Sequence, residues 1–230
     1  MGGLLLEGGS EFQGQMDEPD RQAIALTGKK EAEICIIPTA AAPDNNHINA
    51  GENGVRWFQS LGVKNIRSLP IIDTASANDT TLAEILINTD LIYFLGGYPD
   101  YLEESLRETL CWSAILEAYK RGAVLAGSSA GAMVMCEWFF NPESKELQPG
   151  LGVIPNMIVI PHHENIGKQW SGIIQNQLPD ITIVGIDEQT GMLRKHEDDN
   201  WNVYGKGSIT VYQRNNIIEY TTESSSFSLQ

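Results

Sequence analysis

Ser129 stands at the centre of Gly127-Ser128-Ser129-Ala130-Gly131, with a glycine two positions away on either side. The apolar run Ala123-Val124-Leu125-Ala126 precedes it and the helix-forming stretch Met133-Val134-Met135 follows it. A GxSxG spacing in that setting reads as a sharp strand-to-helix turn that exposes a serine hydroxyl, and larger side chains at Gly127 or Gly131 would collide with the neighbouring strand and helix. Ser129 is therefore the candidate nucleophile. A serine hydroxyl attacks poorly until a base removes its proton, and histidine suits that task because it titrates near neutral pH. Of four histidines, His47 lies in the polar loop Asp44-Asn45-Asn46-His47, and His196 in the charged run from Arg194 to Asp199 that reads as an exposed turn. His162 and His163 directly follow an apolar run, where a loop would return to the serine, so one of them is the expected general base. A carboxylate should orient that imidazole. Glu146 is favoured for this over Glu143, both in the polar segment from Asn141 to Gly150, while Glu137 falls on the helix after the serine and should point away. Acyl transfer also needs backbone N–H donors for the oxyanion. Gly97, in a glycine pair after Ile92–Leu95, and Ala130, next to the serine at a helix start, are the expected donors. Gly96, Tyr98 and Asp100 in the same loop are expected to face a substrate.

Positioning these groups requires a scaffold, and the hydrophobic pattern supplies one. Short apolar runs at Leu4–Leu6, Ile34–Ile37, Ile66–Leu69, Leu91–Leu95, Ala123–Ala126, Met157–Ile160 and Ile181–Ile186 alternate with helical stretches at Asp20–Leu26, Gly54–Leu61, Thr81–Ile87, Tyr101–Tyr119 and Gly167–Gln177. Alternation of this kind predicts an α/β fold with a mainly parallel, doubly wound sheet and helices on both faces. Sites in such folds form where loops leave the carboxyl ends of strands. The loops carrying Glu7-Gly8-Gly9-Ser10-Glu11, Pro38-Thr39-Ala40, Gly96-Gly97, Ser129 and His162-His163 would share one such edge. After Asp187 the pattern changes to strand-like pieces at Gly191–Arg194, Trp201–Tyr204, Ser208–Gln213 and Ile217–Tyr220, expected as β-hairpins closing an edge of that sheet. Residues 1–220 read as one domain and the serine-rich 221–230 as a flexible tail.

Composition excludes several classes. Thirty acidic against fifteen basic residues give a formal charge of −15, which would repel a nucleic-acid backbone. No run approaches the roughly 20 apolar residues of a membrane span, and the chain opens without a basic, apolar-cored leader. The three cysteines, Cys35, Cys111 and Cys136, show no CxxC spacing and sit among apolar residues, which suits reduced thiols and a cytoplasmic protein. No HExxH or cysteine cluster suggests a metal, and no cofactor is expected.

Taken together, Leu6-Glu7-Gly8-Gly9, Ile37-Pro38-Thr39-Ala40, Phe94-Leu95-Gly96-Gly97, Gly127-Ser128-Ser129-Ala130-Gly131-Ala132, Gly150-Leu151-Gly152 and Gly185-Ile186-Asp187-Glu188 resemble the dipeptidase E and cyanophycinase family, within the class I glutamine amidotransferase-like fold. The resemblance spans Leu4 to Val211. It implies a flavodoxin-like sheet and a serine-type exopeptidase or omega-peptidase acting on a small peptide or isopeptide. It also implies Ser129 as nucleophile, Gly97 as oxyanion glycine and a possible homodimer. Aligning Pro161-His162 on the Pro-His of dipeptidase E selects His162, which is preferred, whereas the Asp-x-His-Phe of cyanophycinases would select His163. Two departures bear on substrate: Tyr98-Pro99 stands where cyanophycinases usually carry Asp-Gln, and Gly167-Lys168-Gln169-Trp170 replaces their arginine-rich helix. Asp187 and Glu188, at the end of a strand far along the chain, read as structural. The alternatives are a catalytically silent binding protein on the same fold and, behind it, an α/β-hydrolase esterase using Ser129, Asp187 and His196.

Overall fold

Four strands carry buried side chains almost without interruption: β1 (Leu4–Glu7), β2 (Glu33–Ile37), β4 (Leu91–Phe94) and β5 (Val124–Ser128). Such runs belong to strands covered on both faces. In this computed structural model, which describes residues 1–196, 198–213, 216–224 and 226–229, the four lie side by side with β3 (Asn65–Ser68) at one edge. β10 (Thr190–Arg194), β11 (Asn200–Gly205) and β14 (Phe227–Ser228) extend the other edge. The order across the eight strands is β14-β11-β10-β1-β5-β4-β2-β3. Pairing is parallel from β1 through β3 and antiparallel from β1 through β14.

Side chains of these strands alternate between two cores, as the pleat requires. Leu4, Leu6, Ile37, Phe94 and Leu125 face the helices α3 (Thr80–Ile87), α4 (Pro99–Leu106), α5 (Leu110–Lys120) and α6 (Ala130–Met135). Leu5, Ile36, Tyr93 and Ala126 face α1 (Asp17–Leu26) and α2 (His47–Ser60), which contribute Ala23 and Phe58. The expected helical stretch Tyr101–Tyr119 is two helices. Glu108 adopts φ 59°, which no helix accommodates, and Thr109 then caps α5 by accepting the Trp112 N–H at 3.2 Å.

The later apolar runs do not join the main sheet. β8 (Met157–Ile160) and β9 (Thr182–Ile186) pair in parallel within a second sheet, completed by β12 (Ile209–Gln213) and β13 (Asn216–Tyr220) in the order β13-β12-β9-β8. Hydrophobic periodicity identifies a strand but not the sheet that receives it. The crossover from one sheet to the other is short: only Asp187–Gln189 separate β9 from β10. A small third core, with Phe140, Ile158, Ile174 and Tyr212, lies between the second sheet, α7 (Trp170–Gln177) and a hairpin of β6 (Trp138–Phe140) and β7 (Leu147–Pro149). The segment expected as a tail contributes β14, where Phe227 is buried and stacks on Tyr220 with ring centroids 3.9 Å apart. Among the described residues no helix is long and apolar enough to cross a membrane.

Candidate active site

The chain leaves β5 at Ser129 with φ 48° and ψ −113°, an arrangement strained for a side chain and stabilised by its surroundings. The Ser129 N–H donates to the Glu7 carbonyl at 3.0 Å, and the Ser129 carbonyl accepts the Met133 N–H at 3.0 Å, starting α6. Only glycine fits beside it: a Cβ on Gly127 would lie 2.6 Å from the Gly131 carbonyl carbon, and one on Gly131 would lie 2.8 Å from Phe94 Cβ.

Beyond β8, His162 takes a left-handed conformation (φ 49°, ψ 38°), its N–H donating to the Gly8 carbonyl at 2.8 Å. That bend sends the adjacent histidines to opposite sides. His162 Nε2 lies 2.9 Å from Ser129 Oγ. His163 turns inward, 4% exposed, with Nε2 2.8 Å from the Tyr212 hydroxyl and Nδ1 3.5 Å from Asp187 Oδ1. Of the two sequence candidates for the base, the structure thus brings His162 to the serine and packs His163 away from it.

The carboxylate behind the imidazole is neither Glu146 nor Glu143. Glu188 Oε1 lies 2.6 Å from His162 Nδ1. Glu143 and Glu146 sit exposed in the turn between β6 and β7, where the Glu143 N–H donates to Asn141 Oδ1 at 2.8 Å and the Glu146 carbonyl accepts the Asn141 N–H at 2.9 Å. Glu188 looked structural because of its distance along the chain. The short β9–β10 crossover instead returns it to the first strand's loop, with the Gly8 N–H donating to the Thr190 carbonyl and the Gln189 N–H to the Gly9 carbonyl. Its place at the carboxyl end of a buried strand was the signal that could have found it.

Glu188 is firmly held. Its second oxygen accepts the Ser10 hydroxyl, and its backbone N–H donates to both oxygens of Glu164 at 3.0 and 2.9 Å. Burial pushes its carboxyl up, but hydrogen bonds with Ser10 and His162 and the attraction of the imidazole outweigh that and hold it below the usual carboxylate range. His162 and Glu188 keep 30% and 27% of their side-chain surface exposed, so the pair is reachable from solvent.

Asp187, one residue earlier, faces His163 and accepts both the N–H and the hydroxyl of Ser208 at 2.9 and 2.8 Å. Burial raises its carboxyl, and the bonds from His163 and Ser208 more than reverse this, holding it at about 2. His196 Nε2 contacts the Leu26 carbonyl at 3.2 Å, so the Ser129–Asp187–His196 arrangement is not assembled.

The glycine loop after β4 passes against the serine: a Cβ on Gly96 would lie 3.3 Å from Ser129 Cβ. The Gly96 N–H donates to Glu11 Oε2 at 3.0 Å and the Tyr98 N–H to the Ala40 carbonyl at 2.9 Å. Between them the Gly97 N–H donates to no group among the described residues. Gly97 has φ 138°, and a Cβ there would lie 2.6 Å from the Ala40 carbonyl carbon. As the first residue of α6, Ala130 has an N–H with no acceptor in its own helix. Tyr98 is half-buried with its hydroxyl on Asp44 Oδ1 at 3.0 Å, and Asp100 accepts the Tyr101 N–H at 2.9 Å in the first turn of α4.

Beneath the site Glu7 and Asp20 are fully buried. The Tyr93 hydroxyl donates to Glu7, and Trp57 Nε1 donates to Asp20 Oδ2 at 2.7 Å. Burial pushes Glu7 well above the usual range, and pushes Asp20 to about 7. Among the described residues no cluster of three or more His, Cys, Asp or Glu side chains could hold a metal ion.

A profile of Peptidase family S51 matches residues 4–200. The cyanophycinase of Trichormus variabilis is 29% identical over 222 residues, which cover 90% of this chain and 72% of that protein. The cyanophycinase of Geminocystis herdmanii is 29% identical over 220 residues, covering 90% and 79%. Among solved structures, a peptidase from an acI-B1 Actinobacterium superposes with a TM-score of 0.89 at 29% identity, covering 100% of this chain and 97% of that one. A putative peptidase E protein from Listeria monocytogenes shares the fold, with a TM-score of 0.62 at 19% identity over 90% of this chain.

Proposed function

The chain belongs to peptidase family S51, and from that premise we propose that it hydrolyses a small peptide or isopeptide through an acyl-enzyme on Ser129, with His162 as acid–base and Glu188 as its orienting carboxylate. The observation that carries this reading is the unbroken contact chain from Ser129 Oγ through both ring nitrogens of His162 to Glu188, at 2.9 and 2.6 Å. Glu188, held ionised by its hydrogen bonds, keeps a proton on Nδ1, which leaves Nε2 free to accept the serine proton. The Ser129 oxygen then attacks the substrate carbonyl carbon. The resulting oxyanion is met by the N–H groups of Gly97 and Ala130, the second strengthened by its place at a helix N-terminus. His162 returns the proton to the departing amine as the C–N bond breaks. Water, deprotonated by the same nitrogen, attacks the ester carbonyl, and the proton goes back to Ser129 as the acyl group leaves.

Tyr98-Pro99 and the segment Gly167–Trp170, which differ from the usual cyanophycinase residues, favour a short aspartyl peptide over a β-aspartyl-arginine polymer as the substrate. Loss of the nucleophile is the direct test. Intact-mass measurement after treatment with a fluorophosphonate should show one adduct on the natural chain and none on Ser129→Ala. The same pair should respectively cleave and spare a panel of aspartyl dipeptides and β-aspartyl-arginine. An adduct that survives Ser129→Ala, or a natural chain inert to the probe and to the whole panel, would refute the assignment.

A further inference from the structure

We propose that Glu11 is a positioning residue for the oxyanion hole: by accepting the Gly96 N–H, its carboxylate fixes the Leu95–Gly96 peptide, and with it the Gly96 Cα from which the next peptide aims the Gly97 N–H at the substrate carbonyl. The assignment rests on the Ser129 reading above.

Four successive amides of the loop after β4 have distinct fates. The Leu95 N–H donates to the Ile37 carbonyl at 3.2 Å, that of Gly96 to Glu11 Oε2 at 3.0 Å and that of Tyr98 to the Ala40 carbonyl at 2.9 Å. Of the four, only the Gly97 N–H has no acceptor among the described residues, and Gly97 is exposed. A glycine pair leaves room for substrate, but it also rotates readily, since glycine populates both signs of φ. Movement of either end of the Gly96–Gly97 peptide would tilt its N–H away from the point where the oxyanion forms. The Ala40 carbonyl, bound to the Tyr98 N–H, fixes the Gly97–Tyr98 peptide that follows. Glu11, bound to the Gly96 N–H, is the side chain among the described residues that fixes the Leu95–Gly96 peptide before it, so both ends of the Gly96–Gly97 peptide are held in place.

The segment that bears Glu11 is built to hold it. Gly9, Ser10, Phe12 and Gly14 all have positive φ, and two of these carry side chains, at 57° for Ser10 and 62° for Phe12. Strain of that kind persists where surrounding contacts over-determine the chain. The Phe12 ring packs 5.3 Å from Tyr93 and 6.2 Å from Phe58, between the sheet and α2. The anchored bend lets consecutive residues serve both halves of the machinery: Ser10 binds the carboxylate of Glu188, and Glu11 binds the loop carrying Gly97.

Three variants separate the roles Glu11 could have. Glu11→Gln keeps an oxygen acceptor without charge, Glu11→Met keeps bulk without a comparable acceptor, and Glu11→Ser, too short to reach Gly96, stands in should the methionine variant not fold. Measured on each are the second-order rate of Ser129 phosphonylation by a fluorophosphonate, and kcat and KM on whichever panel peptide the natural chain cleaves. We expect the methionine or serine variant to lose about 30-fold in phosphonylation rate and kcat, less than the roughly 100-fold or more for deleting a donor outright. KM should stay within about 3-fold, and Glu11→Gln should retain most of the natural rate. Full rates in Glu11→Met or Glu11→Ser would overturn the proposal, and so would Glu11→Gln as slow as they are, because the carboxylate's charge would then be what matters. Inactivity of the natural chain toward the fluorophosphonate would instead strike the Ser129 reading itself.

Discussion

Two neighbouring histidines with opposite fates make the residue scale informative. The left-handed bend at His162 gives the serine one imidazole and the interior the other. Their substitution should separate chemistry from stability. Glu188→Gln, which disturbs the proton on His162 Nδ1, should lower kcat by about 10⁴-fold while leaving the melting temperature nearly unchanged. His163→Ala removes a buried partner of both Tyr212 and Asp187 and should cost about 3 kcal/mol in urea unfolding, with kcat on the folded fraction largely kept. A kcat collapse in His163→Ala with normal stability would reverse the two assignments. Ser129, the glycine pair and the histidine doublet were legible in the sequence because each announces itself within a few residues. Glu188 was legible only as a carboxylate at a strand end, since its aim at the ring of His162 depends on the crossover that follows β9.

At the scale of elements, the turn out of β5 sets the tolerance of the site. A methyl group on Gly131 would press on Phe94 in β4, so Gly131→Ala has to push apart α6 and the sheet. Overpacking of that order costs about 1–3 kcal/mol, and because α6 starts at the nucleophile, the displacement should also reduce the rate of fluorophosphonate labelling. Normal stability and labelling in Gly131→Ala would show that the turn has slack. The same scale marks where sequence reasoning stopped. Strands and helices followed from apolar periodicity, and the elbow from its spacing. Allocation of β8, β9, β12 and β13 to a second sheet depended on the three-residue crossover after β9, and the split between α4 and α5 on one left-handed residue, Glu108.

For the molecule as a whole, the buried acids beneath the nucleophile link stability to pH. Glu7 and Asp20 are both raised by burial, Asp20 to about 7, so the folded chain keeps protons that the unfolded chain releases above pH of about 4. Unfolding is therefore favoured increasingly as pH rises from about 4 to 7, and Glu11, also raised by burial, adds to the slope. Asp187, held at about 2, and Glu188, held below the usual range, act the other way only at the low end of that window, where their unfolded counterparts finish ionising. Thermal denaturation should show the melting temperature falling over this range, and Glu7→Gln should flatten the fall; an unchanged slope would remove Glu7 from the account. The hydroxyl of Ser129 rides on the larger sheet, whereas His162 and Glu188 hang from strands of the smaller one or from the crossover between them. The active centre thus spans two sheets that share one core, in which Val184 and Ile186 pack with Leu4 and Leu6. A slip of about an ångström between the sheets would lengthen the 2.9 Å contact between Ser129 and His162 and disarm the molecule while most of its architecture still stands.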